Sequence, residues 1–105
     1  MTEQLTNIPA KELAPGIVGR YIHTENMTIG YVTIEKGAVL PSHSHDHEQT
    51  SQILSGHLEM TIAGETTILT PESITVIPSN CVHSAVALTD CIVIDTFFPV
   101  REDYK

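Results

Sequence analysis

From Ile17 to Phe98 the chain is a succession of short stretches rich in Val, Ile, Thr and Tyr, cut every few residues by Gly, Pro, Asn or Asp. No helical pattern of useful length interrupts them, so the core must be built from sheets packed on each other. The spacing predicts strands at 17–23, 27–35, 38–40, 43–45, 50–54, 57–63, 66–69, 74–77, 82–88 and 91–98. Turn chemistry separates them at Lys36-Gly37, Ser55-Gly56, Ala63-Gly64-Glu65, Thr70-Pro71-Glu72 and Pro78-Ser79-Asn80. With 105 residues there is material for one core, and an all-β jelly-roll barrel is the economical arrangement. Residues 1–16, which carry Pro9, Pro15 and Gly16, are read as an N-terminal arm with one helical turn around Ala10 to Leu13, and residues 17–105 as a single domain.

Charge narrows the partners. Thirteen acidic against five basic residues give a formal charge of -8, which repels phosphate backbones and anionic membrane surfaces, so nucleic acid and membrane are excluded as partners. No apolar run approaches the roughly 18 residues of a membrane span. The opening MTEQLTNIP lacks the basic and apolar segments of a signal peptide, so a cytoplasmic location is expected. Cys81 and Cys91 form no C-x-x-C pair and are read as reduced, buried thiols.

The densest chemistry lies between Gly37 and Gly56, where His43, His45 and His47 fall within five positions and Gln49 follows. Neutral imidazole is the commonest protein metal ligand. On a strand, His43 and His45 would share a face with their Cα atoms about 6.6 Å apart, close enough to lean onto one ion. A lone H-x-H is more often an exposed polar loop than a ligand pair. His47 has the parity to join, but a turn must fall within Asp46 to Glu48, which places it at the rim. His47-Glu48 does not open an H-E-x-x-H motif, because Ser51 occupies the last position. His23 and His57 stand alone and are read as structural or solvated.

Alternation supplies the other faces. In the stretch 82–88, His83 shares a face with Ala85 and Ala87, small neighbours that leave room for an ion or ligand. In the stretch 91–98, either Cys91, Val93, Asp95 and Phe97 or Ile92, Ile94, Thr96 and Phe98 line the interior. Both faces are largely apolar, and alternation leaves both choices open. Asp95 is therefore either a structural residue on a solvent face or paired with Arg20 or Arg101, or else a general acid/base in a semi-apolar cavity. Cys81, two residues before His83, lacks a third orienting group and reads as a packed thiol rather than a nucleophile.

The pattern Gly37, five residues, His43-Ser-His45, three residues, Gln49, six residues, Gly56 resembles the first motif of the cupin superfamily, and Pro78 and His83 match its second. The resemblance implies a small double-stranded β-helix with a metal inside. Gln49 stands where most members carry glutamate, Glu72 and Asn80 replace glycines, and Ala87 replaces the closing asparagine. Asn80 can keep its turn, since asparagine tolerates the left-handed conformation, and Glu72 is a surface-turn substitution. Gln49 is neutral, so a divalent ion beside it would keep its full charge as a Lewis acid.

With the tail Asp95, Phe97, Pro99, Arg101, Glu102, Asp103, Tyr104, the H-x-H-x-H-E-Q stretch looks like the pectin-degradation cupins of the KdgF type. That likeness implies metal ligands His43, His45, Gln49 and His83, and site residues Asp95, Phe97 and Arg101. It also implies opening of 4,5-unsaturated uronates into linear keto forms, with Asp95 moving the proton, Arg101 holding the carboxylate and Phe97 shaping the wall. The cofactor would be one divalent transition metal ion (Ni, Zn, Mn, Fe or Cu) and the partner a small carboxylated sugar. A metal-dependent cupin dioxygenase and a non-catalytic sugar- or metabolite-binding cupin are the alternatives. By analogy with small cupins a homodimer is expected, with the arm of residues 1–16 reaching across.

Overall fold

The computed structural model describes residues 1–105 and contains ten strands: β1 (Lys11–Ala14), β2 (Ile17–His23), β3 (Thr28–Ile34), β4 (Val39–His43), β5 (Glu48–Ser55), β6 (Leu58–Ile62), β7 (Glu65–Leu69), β8 (Ile74–Ile77), β9 (His83–Ala87) and β10 (Cys91–Phe98). They form a six-stranded sheet in the order β1-β2-β3-β10-β5-β8 and a four-stranded sheet in the order β4-β9-β6-β7. Every pairing is antiparallel. This is the jelly-roll β-barrel that the strand spacing predicts.

Alternation decides what the two sheets enclose. In β3 the buried positions are Thr28, Gly30, Val32 and Ile34; in β5 they are Gln49, Ser51 and Ile53. In β9 they are His83, Ala85 and Ala87. Leu58 and Met60 from β6 and Val93 from β10 belong to the same buried apolar cluster. Each fully buried aliphatic side chain of this kind contributes about 1.5–3 kcal/mol. The polar members of the alternating set, Gln49, Ser51 and His83, therefore stand out as costly unless partnered.

The strand β10 resolves the choice left by the sequence. Cys91, Val93 and Phe97 are buried, so Asp95 shares the inward face, while Phe98 is exposed. The outward face of this sheet stays apolar, with Ile74 and Val76 of the edge strand β8 exposed.

Three local expectations are corrected. Residues 11–14 form β1, antiparallel to β2, where a helical turn is expected; the one-turn helix lies earlier, at Leu5–Asn7. Leu13 packs on the core, and Arg20 donates from Nη1 to the carbonyls of Leu5 and Ile8, which binds the chain before β1 to the sheet. The expected strands 38–40 and 43–45 are one strand, β4, with an irregular register between Leu40 and His43; His45 lies beyond its end. Cys91 is buried as expected, but Cys81 is only half-buried.

Two turns anticipated from sequence have the required geometry. Gly56 adopts φ +88°, and a β-carbon there would stand 2.2 Å from the Asp90 carbonyl oxygen, so no larger residue fits. Asn80 adopts φ 62° in the left-handed region. Its backbone N–H donates to the His45 carbonyl at 2.8 Å, which ties the 78–80 turn to the histidine loop.

Candidate metal centre

Three elements bring three histidines together. His43 ends β4 and His83 begins β9; the two residues are register partners with ring centroids 4.2 Å apart. His45 lies on the following loop, its ring 5.0 Å from that of His83 and 5.8 Å from that of His43. One ring nitrogen from each lies within 4.8 Å of the others. His47 is not in this group: its ring sits beside His45 and Phe97, at 5.7 and 6.5 Å.

Each histidine is held in the same tautomer. His43 Nδ1–H donates to the Pro41 carbonyl at 2.8 Å, His45 Nδ1–H to the His47 carbonyl at 2.9 Å, and His83 Nδ1–H to the Cys81 carbonyl at 2.9 Å. A carbonyl can only accept, so each neutral ring keeps its Nε2 lone pair free. Burial holds His45 and His83 below the usual imidazole range and favours that neutral form. The Nε2 atom of His83 is buried with no protein partner. A backbone carbonyl on one nitrogen and a free lone pair on the other is how metal-ligating histidines are oriented. The donor set fits one divalent transition-metal ion, and nitrogen and oxygen donors of this kind do not name which.

Gln49, from β5 of the opposite sheet, lies beside the three histidines. Its Oε1 lies 3.0 Å from His45 Nε2. On its other side Nε2 donates to Ser51 Oγ at 3.0 Å, and Ser51 Oγ donates to Asp95 Oδ1 at 2.6 Å. Asp95 thus faces the cavity, and its partner is Ser51, not Arg20 or Arg101. Burial pushes its carboxyl up to about 6, opposed by hydrogen bonds from Ser51 and Gln49 and by the charge of Arg101. A carboxyl in this range exchanges protons near neutral pH.

The cavity, with about 50 Å³ open to the centre of a water-sized sphere, is lined by the three histidines, Gln49, Asp95, Phe97 and Arg101. Its floor is apolar, with Ile17, Val32, Leu58, Met60 and Val93. Phe97 is 3% exposed and meets the His45 ring edge-on at 5.7 Å. The Arg101 guanidinium lies 3.9 Å from the Tyr104 ring centre and 4.8 Å from that of Phe97. Asp103 occupies its Nε and Nη2 edge at 3.0 and 2.8 Å, which leaves Nη1 without a protein hydrogen bond. Arg101 is anchored through its backbone: its N–H donates to Thr28 Oγ1 at 2.8 Å, and that hydroxyl reaches His23 Nδ1 at 2.8 Å.

Sequence reasoning missed Tyr21 and Tyr104 in this cavity, and Ser51 behind Gln49 and Asp95. Ser51 carried a signal in its parity, two residues after Gln49 on one strand face. Tyr21 is aligned with Asp95 only through the register Tyr21↔Gly30↔Asp95 across three strands, which no local pattern reveals.

Comparison with known proteins agrees with this architecture. Residues 30–97 match the family model described as Cupin domain. The structure of KdgF from Halomonas sp. is similar at 34% identity and TM-score 0.86, covering 92% of this chain and 93% of that one. An RmlC-like cupin from Shewanella frigidimarina superposes at TM-score 0.91 with 26% identity over 98% and 94% of the two chains. Oxalate decarboxylase of Bacillus subtilis, with its Mn(II) centres, shares the fold at TM-score 0.79 and 19% identity, covering 90% of this chain and 28% of that one. Curated proteins give no match. On the domain match and the likeness to KdgF, this chain belongs to the cupin family.

Proposed function

We propose that this chain is a metal-dependent cupin enzyme that opens and ketonises 4,5-unsaturated uronates from pectin or alginate breakdown, with one divalent ion held by His43, His45, Gln49 and His83. The observation that carries it is the placing of Asp95, with its raised carboxyl, and Arg101 in the cavity that the histidines line. The likeness to KdgF of Halomonas sp. supports the same reading.

Bound at that site, the ion supplies Lewis acidity toward substrate oxygens. Asp95 takes the proton from the anomeric hydroxyl as the ring C–O bond breaks and returns it to the ring carbon as the enol becomes a ketone. No oxidant enters and no atom leaves. Arg101 offers its free Nη1 to the substrate carboxylate while Asp103, Tyr104 and Phe97 hold the guanidinium plane. Phe97 closes one wall and excludes water. Decay of the unsaturated chromophore with purified protein tests the proposal; no turnover of any unsaturated uronate overturns it.

The apolar floor favours a second reading, a cupin dioxygenase acting on a less hydroxylated ligand. Oxygen uptake during turnover separates the two. A ligand-binding cupin without turnover would show a thermal shift with uronates and no chromophore loss.

The proposal includes a homodimer. The outer face of the six-stranded sheet exposes Leu54, Ile74, Val76 and Phe98 near an unpaired edge, a patch that a second copy would cover. Light scattering at micromolar concentration should give twice the 11.5 kDa chain mass. No helix is long and apolar enough to cross a membrane; the cytoplasmic setting expected from the N-terminal sequence stays part of the proposal.

A further inference from the structure

We infer that Ser51 is a positioning residue that decides which end of the Gln49 amide faces the histidines. Gln49, Ser51 and Asp95 then act as one hydrogen-bonded unit whose polarity requires an amide, not a carboxylate, at position 49. The inference rests on the metal reading of the histidine group and extends it.

Ser51 is 1% exposed and points inward from β5, two residues after Gln49 and in register with Asp95 on β10. Its hydroxyl has a single proton. That proton is committed to Asp95 Oδ1 at 2.6 Å, the short distance of a hydrogen bond to a charged acceptor. Toward Gln49, therefore, Ser51 Oγ can only accept, and the group 3.0 Å away must be the amide Nε2–H. This fixes the other end: Oε1 is turned to His45 Nε2, 3.0 Å away.

His45 cannot satisfy that oxygen with a proton, because its Nδ1–H is already given to the His47 carbonyl. Two lone pairs, one on Oε1 and one on Nε2, thus face each other at hydrogen-bond distance. A cation shared between them resolves the conflict, and the histidine group places two further lone pairs around the same point. Ser51 and Asp95 are in this way part of what aims the fourth donor, although neither belongs to the ligand set.

The same chain of donors explains why glutamine stands where most cupins carry glutamate. A carboxylate at position 49 would present acceptors to both neighbours and nothing to donate to Ser51. The one hydroxyl proton would be contested by two buried carboxylates, and like charges so placed repel. The choice of residue at position 49 is thus tied to Asp95 on the neighbouring strand.

Two measurements test this. In the first, metal-stripped protein is titrated with Co²⁺ and followed by its visible d–d bands. Ser51→Ala should weaken Co²⁺ binding about 10- to 100-fold, the size of effect expected from loss of an outer-shell partner, and should change the band pattern. Wild-type affinity and spectrum in Ser51→Ala would overturn the inference. In the second, thermal unfolding is followed with no metal present. Gln49→Glu should lower the melting temperature by about 5 °C or more. Asp95→Asn should raise the melting temperature by clearly more in the Gln49→Glu background than in wild type, because only there does the introduced amide restore a donor to Ser51 Oγ while the serine proton turns to position 49. Equal melting temperatures for wild type and Gln49→Glu, or the same gain from Asp95→Asn in both backgrounds, would overturn it. If wild-type protein itself takes up no Co²⁺, the metal reading fails, and the melting temperatures still decide whether the three residues form a polarised unit.

Discussion

The ring of Tyr21 lies flat across Gly30 on the neighbouring strand, its Cε1 2.5 Å from where a β-carbon on that glycine would stand. The seat is cut for this ring, and Gly30 also separates Tyr21 from Asp95 in the register of the sheet. Gly30→Ala should therefore force the ring or the strand to move and destabilise the protein by about 1–3 kcal/mol in urea denaturation. Tyr21→Phe removes only a buried hydroxyl without a protein partner, and should be neutral or stabilising by up to about 1 kcal/mol. Full stability in Gly30→Ala would mean that the close approach is not a constraint.

Thr28 is fully buried and its hydroxyl serves two groups, accepting from the Arg101 backbone N–H and sharing a hydrogen bond with His23 Nδ1. Thr28→Val keeps the shape and strands both partners, so a loss of about 1–3 kcal/mol is expected by chemical denaturation. Because the tail begins at this bond, turnover of an unsaturated uronate should fall as well. A variant as stable as wild type would show that the tail is anchored elsewhere.

Asp95 makes a signed prediction for pH in the metal-free protein. Its carboxyl is raised from 3.8 to about 6, chiefly by burial, so between about pH 4 and pH 6 the folded state holds a proton that the unfolded chain has released. Stability contributed by this residue is present at low pH and is lost as pH rises through that window. Asp95→Asn should accordingly raise the melting temperature at pH 8, by the equivalent of up to about 3 kcal/mol, and bring almost no gain at pH 4. A gain of equal size at both values would contradict this origin.

Arg101 is held by stacking on Tyr104 and Phe97 and by two bonds to Asp103. Lysine keeps the charge but loses the plane and the fork. Steady-state kinetics of Arg101→Lys on an unsaturated uronate should show KM raised by about 10-fold or more, with a smaller change in kcat. An unchanged KM would remove Arg101 from substrate recognition.

Much of this was legible in the sequence because turns and period-2 runs are local. The strands 17–23, 74–77 and 91–98 have the bounds that their residues predict. The edge strand β1 was not legible: Lys11–Ala14 is four residues with no clean alternation, and its pairing comes from β2. The direction of Asp95 was hidden for a different reason. The outward face of β10 is itself apolar, so hydrophobicity could not tell inside from outside. Within the candidate site, the spacing of His43, His45, Gln49 and His83 was visible because it is carried by two short stretches. The roles of Ser51 and Tyr21 depend on register between strands far apart in the chain, and Asp103 revealed its hold on Arg101 only once the tail was folded.

That the three histidines and Gln49 hold one divalent ion can be read without any turnover, from metal stoichiometry by elemental analysis after equilibrium dialysis. Wild-type protein should retain about one divalent ion per chain, while His83→Ala, which removes the buried Nε2 that has no other partner, should retain less than about one tenth of that. Wild-type protein that retains no ion, or His83→Ala that retains as much as wild type, would contradict the claim.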